Sequence, residues 1–256
     1  MKTLNLFIII LIGVFFSFIV FPKYIQENFS EKIKLPYPTY IINLEETKEG
    51  KRRLPIIQGI FHEAKRFPAT YGKNFDFTPY YDTVLTKSWD HGKWKTGKSN
   101  ILELTDGEKG VAMSHYNLWT KIAKEKEPHI ILEDDAIGIN SNTKIFLNKI
   151  LKRLPKDYDM YLIGFVDLEP INTKSLHAKV KEFVLLHSYI ITPKGAQKLL
   201  EQLPINKPVD TWISSISDKL NIYRHNVGII NKKKQFCGRV ITQKRDEKQI
   251  LNTNIT

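Results

Sequence analysis

The sequence predicts an α/β fold in which helices cover both faces of a mostly parallel sheet, and two kinds of signal indicate it. Short apolar segments rich in β-branched residues, such as residues 130–132, alternate with segments whose apolar side chains recur at helical spacing. Capping residues, such as Thr105 with Glu108 three positions later, mark the starts of helices. Strands that alternate with helices imply a sheet covered on both faces. The chain has 256 residues, of which 42 % are hydrophobic, so it can bury a large core.

The first element is an apolar segment that predicts a transmembrane anchor over residues 1–22. Residues 4–21 are nearly all Leu, Ile, Val or Phe, and as a helix they span about 27 Å, close to the ~30 Å core of a bilayer. A cleaved signal peptide is the alternative, although no small-residue cleavage site follows the run. Because lysines lie on both sides, charge does not fix the orientation. We expect a single-pass, type II protein with its body in a lumen, and a cytoplasmic body is the alternative.

The rest of the chain predicts a short stalk followed by one α/β domain. Residues 23–38 are polar and charged and include two prolines, so they predict the stalk, and residues 39–256 form the domain. The first strand is predicted over residues 39–44, and the charged residues that follow begin a helix. Residues 72–100 are rich in aromatic side chains without a clear period, and they predict loops over one edge of the core.

A central helix and strand come next. The helix begins at the Thr105–Glu108 capping box, and its apolar side chains share one face. They are Val111, His115, Leu118, Trp119, Ile122 and Ala123. Pro128 stops the helix, and residues 130–132 predict a covered central strand.

The second half of the domain continues the alternation. Helical spacing predicts a helix over residues 143–154, and apolar runs predict strands over residues 159–164 and 182–191. Thr192 followed by Pro193 predicts the N-terminus of a further helix. A last helix is predicted from Pro208 to about Leu220.

The charge of the chain favours an anionic partner. The 39 Lys and Arg residues exceed the 27 Asp and Glu residues, which gives a net charge of +12. The basic residues are scattered, whereas a nucleic-acid-binding protein more often concentrates them in a stripe with aromatic residues. We therefore expect no nucleic-acid partner. Cys237 is the only cysteine, so an internal disulfide and a cysteine-based zinc cluster are excluded.

Three adjacent acids, Glu133, Asp134 and Asp135, follow the predicted central strand directly. In open α/β sheets the ligand crevice lies outside the carboxyl ends of the strands, so these acids stand where chemistry is expected. A solvated loop or a cap of a following turn is the alternative. Oxygen ligands suit Mg²⁺ or Mn²⁺ better than Zn²⁺. If the chain stays extended, Glu133 and Asp135 share one face and Asp134 points elsewhere.

Several segments together, in this order, resemble glycosyltransferase family 25. The family includes the lipooligosaccharide galactosyltransferases of bacteria and the procollagen galactosyltransferases of animals. The similar segments are residues 40–44 with Arg52 and Arg53, 110–119, 131–135, 161–164, 189–196 with Leu199 and Leu200, and 208–210. They cover most of residues 39–212, and their order and rough spacing follow the family.

The resemblance implies a single GT-A-like domain, a UDP-sugar donor and Mn²⁺ or Mg²⁺, with galactose the expected sugar. A sugar that leaves a nucleoside diphosphate puts negative charge on the β-phosphate, which a bound metal stabilises as a Lewis acid. Asp135 is the expected metal ligand. Glu133 is expected to contact the metal or the donor ribose, and Asp134 to act in catalysis by orienting the other two acids.

Three further residues are candidates for binding the donor. Asn43 and Leu44 end the first strand, where GT-A enzymes hold the nucleotide, but Asn43 could equally cap the following helix. His115 lies on the apolar face of its helix, where a histidine is more often a hydrogen-bonded core residue. Its match to the family makes contact with the donor the second interpretation.

Inverting transfer also needs a base that takes the proton of the acceptor hydroxyl. Asp210 is the leading candidate, because a strand–helix junction can point it into the crevice. A plain N-cap for the helix of Trp212 is the alternative. Asp167, just after the strand over residues 159–164, is a weaker substitute.

The leading hypothesis is therefore a membrane-anchored glycosyltransferase that acts on a glycan, glycolipid or glycoprotein acceptor. Two other functions use the same features. A catalytically inactive member of the fold could serve as an adhesion or binding module. A two-metal nuclease could use the same acids on an anionic polymer, although the predicted anchor and the missing basic stripe speak against it.

Overall fold

The computed structural model describes residues 35–92, 96–136, 147, 150–167 and 175–225. The predicted anchor, most of the stalk, Cys237 and much of the helix over residues 143–154 lie outside these ranges. Leu147, Ile150 and Leu151 are helical. Within the described ranges, no helix is both long and apolar enough to cross a membrane.

Seven strands form the central sheet, in the spatial order β2-β1-β5-β8-β6-β9-β7, and β3 and β4 form a separate hairpin. The strands are β1 Thr39–Asn43, β2 Lys65–Pro68, β3 Ser88–Asp90, β4 Ile101–Glu103, β5 His129–Glu133, β6 Met160–Asp167, β7 His177–Lys179, β8 Phe183–Ile191 and β9 Ile222–His225. Strands β2, β1, β5, β6 and β9 run in one direction, and β7 and β8 run in the other. The prediction of a mostly parallel sheet is confirmed.

In the part of the chain that the structure describes, four α-helices have defined bounds: α1 Lys48–Ile60, α2 Asp106–Ile122, α3 Pro193–Leu200 and α4 Val209–Ser215. The start of α2 is the predicted capping box, in which the Thr105 hydroxyl accepts the Glu108 N–H and the Glu108 side chain accepts the Thr105 N–H. The Thr192 hydroxyl caps α3 by accepting the Gly195 N–H, as predicted.

The hydrophobic core has two layers because neighbouring residues of each strand face opposite sides of the sheet. Ile42 and Ile131 belong to the layer that also contains side chains of α2, α3 and α4. Ile41 and Ile130 belong to the other layer, which contains Ile57 of α1 together with the helical Leu147 and Ile150. The predicted placement of helices on both faces is therefore confirmed.

The structure corrects several predictions. Helix α4 ends at Ser215 and is followed by a 3₁₀ turn over Ser217–Lys219, so it does not continue to Leu220. The short strands β2, β7 and β9 were not predicted. The side chain of Val111 is not part of the apolar face of α2, since 41 % of the residue is exposed.

Strand β8 runs antiparallel to β5, so its first residues reach the edge of the sheet where β5 ends. There β8 contains a bulge. The pairing passes from Gly164 opposite Ser188 to Val166 opposite Val184, which is an advance of two positions along β6 and of four along β8. Leu185, inside the bulge, has a φ of +62°, a conformation that costs free energy for a residue with a side chain. Gly164 permits the close approach, because a Cβ there would collide with His187 and Ser188.

Candidate active site

A cavity of about 720 Å³ opens at the edge of the sheet where β1 and β5 end. Its walls come from the ends of these strands, from α1 and α2, from the β8 bulge and from the start of α4. The lining residues with charged or polar side chains are Arg53, Thr70, Tyr71, Lys73, Glu108, Ser114, His115, Glu133, Asp134, Asp135 and Asp210. Glu133, Asp134, Asp135, Asp210 and His115 therefore lie at one cavity. Asp167, the weaker candidate for the base, is the last residue of β6.

The three adjacent acids do not alternate as an extended chain would require. Strand β5 ends at Glu133, and Asp134 and Asp135 form a turn in which the Ala136 N–H donates to the Glu133 carbonyl over 3.0 Å. All three acids line the cavity. The expected shared face of Glu133 and Asp135 required an extended chain, and the chain leaves that conformation at Asp134. Asp134 does point to partners of its own, Asn43 and Arg53.

Asp134 is held from the α1 side of the cavity by two donors. One carboxylate oxygen accepts the side-chain amide of Asn43 over 2.8 Å, and the other lies 3.3 Å from Nη1 of Arg53. The side chains of Arg53 and Asp134 are only 12 % and 15 % exposed. The guanidinium therefore compensates the charge of Asp134 in a poorly solvated place.

Asn43 links β1 to the first turn of α1. Its amide nitrogen also donates to the Gly50 carbonyl over 2.9 Å, and its amide oxygen accepts Nε of Arg66 over 3.2 Å. Gly50 allows this, since a Cβ there would collide with the Leu44 carbonyl. The N-cap of α1 is Thr47, so the interpretation of Asn43 as that cap is wrong. Leu44 lines the cavity, whereas Asn43 is buried behind it.

Glu133 is contacted from the α2 side by His115. The imidazole Nε2 lies 3.4 Å from Oε1 of Glu133, and Nδ1 lies 2.8 Å from the Tyr189 hydroxyl. Nε1 of Trp119 donates to the same hydroxyl over 2.8 Å. His115, Trp119 and Tyr189 are fully buried, whereas the side chain of Glu133 is 24 % exposed. The interpretation of His115 as a hydrogen-bonded core residue is confirmed. The residue also lines the cavity, and its contact with the donor stays a prediction.

Burial fixes the protonation of Tyr189. Desolvation raises the pKa of its phenol well above the usual range, and the nearby Glu133 carboxylate acts in the same direction. The hydroxyl therefore keeps its proton and can donate it to a neighbour.

Asp210 lies in the first turn of α4 and joins this helix to the β8 bulge. One carboxylate oxygen accepts the Leu185 N–H over 2.8 Å, and the other accepts the Thr211 N–H over 2.7 Å. The cap position is Pro208, which has no side-chain cap, so the interpretation of Asp210 as the N-cap is wrong. The first of these bonds stabilises the unfavourable backbone conformation of Leu185, which lines the cavity.

The N-terminal turns of α2 form another wall of the cavity. Gly107, Glu108, Gly110 and Val111 line it, and such a helix end carries partial positive charge that suits an anion. The Ser114 hydroxyl accepts the Thr70 N–H over 2.8 Å and donates to the Gly110 carbonyl over 2.7 Å. It thereby fixes the loop that contains Tyr71 and Lys73 against the helix.

The residues present fit a metal that is shared with a substrate. Among the residues that the structure describes, no group of three His, Cys, Asp or Glu side chains could hold a metal ion by itself. Mg²⁺ in enzymes is, however, commonly bound by one or two carboxylates together with phosphate oxygens of the substrate. Glu133 and Asp135 line the cavity and supply the oxygen ligands that such an ion prefers.

Sequence reasoning missed the partners that hold these acids. Arg53 and Tyr189 were noted only within segments that resemble a family, and Tyr189 also within a predicted strand. The adjacent Arg52 pairs with Glu49 on the exposed face of α1, so the sequence alone does not tell which arginine faces the cavity. Once Thr47 is known to be the N-cap of α1, helical periodicity places Arg52 and Arg53 on different faces of the helix.

The fold and the cavity define an α/β protein with a candidate active site, in which charged side chains lie together at the carboxyl edge of a mostly parallel sheet. Residues 37–213 match the family described as glycosyltransferase family 25 (LPS biosynthesis protein). The chain belongs to this family, and the predicted resemblance is confirmed.

Individual relatives agree with this assignment. The chain is 25 % identical to procollagen galactosyltransferase 1-B of Xenopus laevis over 225 residues, which cover 79 % of this chain and 34 % of that protein. It is 27 % identical to a glycosyltransferase 25 family member of Drosophila melanogaster, over 75 % of this chain and 33 % of that protein. A Bos taurus relative, 23 % identical over 45 % of this chain and 21 % of that protein, is named a probable inactive glycosyltransferase 25 family member 3. The chain thus spans about a third of the length of the first two relatives.

Proposed function

We propose that this chain is a metal-dependent glycosyltransferase with a GT-A-like domain. It transfers a hexose, galactose from UDP-galactose, to a hydroxyl of a glycan, glycolipid or glycoprotein acceptor with inversion at the sugar carbon. The observation that carries the proposal is the gathering of Glu133, Asp134, Asp135 and Asp210 at one cavity in a chain of glycosyltransferase family 25. The choice of galactose rests on the names of relatives such as the Xenopus laevis protein.

The metal is assigned to Asp135 and Glu133. When bound, Mn²⁺ or Mg²⁺ would stabilise the negative charge of the departing diphosphate as a Lewis acid. Asp134, fixed by Asn43 and Arg53, keeps the turn that presents the other two acids in place. The donor's phosphates are assigned to the N-terminal turns of α2 and to Lys73, which line the cavity.

Asp210 is the proposed base that takes the acceptor hydroxyl's proton. One of its oxygens accepts the Leu185 N–H, and the other accepts the Thr211 N–H and, over 3.3 Å, the Thr211 hydroxyl. An ionised carboxylate has about four lone-pair positions in all. An acceptor hydroxyl can therefore still donate to it. The same bonds hold the carboxylate at the cavity wall, which reduces the cost of orienting it for proton transfer.

The predicted anchor leads to a proposal about membrane topology. We assign residues 1–22 to a single-pass anchor, with the body on the lumenal side. Modification of Asn28, in the sequence Asn-Phe-Ser, tests the orientation in cells that glycosylate proteins. A mass shift that disappears in Asn28→Gln supports a lumenal body, and a protein that resists alkaline extraction from membranes without this shift favours the cytoplasmic orientation.

The alternative function is an inactive binding module, and the name of the Bos taurus relative is the observation that favours it. The two functions differ in what the acids do. A binding module has no use for a metal-dependent release of nucleotide, whereas a transferase loses this release with its metal ligands.

The test measures release of the nucleotide from a panel of nucleotide sugars by the full chain in mild detergent, with Mn²⁺ or with EDTA. Asp135→Ala is run beside Asp218→Asn, a control in which the altered carboxylate is 68 % exposed on a 3₁₀ turn. We expect UDP from one donor, dependent on metal, lost in Asp135→Ala and kept in the control. Silence with every donor, together with no metal-dependent thermal shift by any nucleotide, would establish the binding module instead.

A further inference from the structure

A series of hydrogen-bonded side chains connects the buried core to the cavity on the α2 side. It joins Trp119, Tyr189, His115 and Glu133 through contacts of 2.8, 2.8 and 3.4 Å. Three elements, α2, β8 and β5, contribute these residues. Only Glu133, at the end of the series, has an exposed side chain, so the other three are placed to act through it.

The chemistry of each group sets the direction of these hydrogen bonds. An indole N–H only donates, so the Tyr189 oxygen accepts from Trp119. A protonated phenol has one proton to donate, and burial keeps Tyr189 protonated by raising its pKa. The remaining contact of this hydroxyl in the series is Nδ1 of His115. If Tyr189 donates there, Nδ1 accepts, and the proton of a neutral imidazole lies on Nε2, facing Glu133.

We infer that His115 is a positioning residue that orients Glu133 through its Nε2–H group, and that the hydrogen bonds of Tyr189 and Trp119 set this tautomer. The value of this arrangement for binding a metal or the donor rests on the proposed function. The tautomer and the hydrogen bond do not.

A second histidine, His129, provides a comparison with His115. His129, at the opposite end of β5, has Nδ1 2.9 Å from the Glu127 carbonyl. A carbonyl only accepts, so Nδ1 of His129 must carry a proton. The two histidines are therefore expected in different states: Nε2–H for His115, and a protonated Nδ1 for His129.

Nitrogen NMR of the histidine rings tests the inference without any donor or metal. The full chain, labelled with ¹⁵N in histidine and held in mild detergent at neutral pH, should show His115 with a proton on Nε2 and none on Nδ1, and His129 with a proton on Nδ1. His115→Gln and His129→Gln assign the two signal sets by their loss. Glu133→Gln should shift the Nε2 signal of His115, and Tyr189→Phe should shift its Nδ1 signal. A proton on Nδ1 of His115, or an Nε2 signal that ignores Glu133→Gln, would overturn the inference.

A pair of substitutions adds a functional measurement. The amide of Gln can place an N–H near the position of Nε2, whereas the shorter Asn side chain cannot reach Glu133. We expect His115→Asn to lower kcat/KM or the affinity for Mn²⁺ with UDP by roughly 10–100-fold, the usual loss when a partner of a metal-binding carboxylate is removed. His115→Gln should retain roughly ten times more than His115→Asn on the same scale.

The outcomes separate the two proposals. Equal losses in the Gln and Asn variants, with matched thermal stability, would show that His115 acts only as core packing and would overturn the inference. A wild-type chain that releases no nucleotide from any donor counts against the proposed function, while the ring signals still decide the tautomer.

Discussion

The two sides of the cavity hold adjacent acids in different ways. On the α1 side, Arg53 and Asn43 contact Asp134, so a cation compensates this carboxylate. On the α2 side, the donor to Glu133 is an imidazole whose other nitrogen contacts a protonated phenol. Arginine is permanently charged and compensates its carboxylate, whereas we expect the Nε2–H group of His115 to orient Glu133 and leave its charge available. We therefore expect a mainly structural role for Asp134 and an electrostatic role for Glu133.

The largest effect expected from this comparison is the loss of turnover in Glu133→Gln. The substitution keeps the shape but removes the charge, and the loss of one preorganised electrostatic group typically lowers kcat by about 10²–10³-fold. The measurement is metal-dependent UDP release over a range of Mn²⁺ concentrations, with Asp218→Asn as the control. Unchanged turnover would mean that Glu133 is as structural as Asp134.

Asp134→Asn should act mainly on stability. It leaves the Arg53 guanidinium without its carboxylate in a poorly solvated place, and hydrogen bonds to charged groups contribute about 1.5–3 kcal/mol. Urea unfolding followed by circular dichroism measures the change in the free energy of unfolding. Glu133→Gln, with a more exposed side chain, is the matched comparison and should lose less. The reverse order of stabilities would contradict the assignment.

Double-mutant cycles compare the two pairs directly. The cycle of Arg53→Gln with Asp134→Asn should give a coupling free energy within the usual range of about 0.5–3 kcal/mol for contacting residues. The cycle of His115→Gln with Glu133→Gln should lie at the low end of this range, because an imidazole, unlike a guanidinium, carries no permanent charge. Equal couplings would remove the distinction between the two sides.

Alkaline pH should weaken the α2 side selectively. The pKa of Tyr189 is raised in the folded state, so its contribution to stability is complete below the unfolded value near 10 and is lost as the pH rises from there. One such group lowers the free energy of unfolding by at most about 1.4 kcal/mol per pH unit.

Tyr189→Phe tests this effect, because it removes the ionisable group but keeps the ring. Thermal unfolding of both proteins between about pH 8 and about pH 11, a range that brackets the ordinary tyrosine pKa near 10, should show a shallower decline for the variant. Tyr158 and Tyr161, whose pKa values are also raised by burial, contribute equally to both proteins. An equal decline of thermal stability in both proteins would mean that ionisation of Tyr189 does not affect stability. The Arg53–Asp134 pair should not respond, because arginine stays charged.

Local patterns predicted the parts of this fold that depend on local chemistry. The Thr105–Glu108 box, the Thr192 cap and the apolar core of β5 each follow from residues close together in the chain. Strands β7 and β9 have only three and four residues, too few for a period to be recognised. The antiparallel direction of β8 was missed because direction depends on the connection to its neighbours.

The acids of the candidate site were predicted from the sequence, but the side chains that pair with them were not. Glu133, Asp134 and Asp135 could be found because they follow an apolar strand. The choice of Arg53 for Asp134, and of His115 for Glu133, depends on how helices on opposite faces of the sheet approach one edge. Such pairings are decided by packing, which a single sequence does not display.

The contacts that complete the site join distant parts of the chain, and this has a consequence for folding kinetics. Asn43 and Asp134 are 91 residues apart, and His115 and Tyr189 are 74 residues apart. Contacts of such separation form slowly, because the entropy of closing a long loop is lost before the contact stabilises it. We expect refolding chains to regain helical content first and nucleotide binding last, so that a partly folded chain emerging from synthesis carries no competent site.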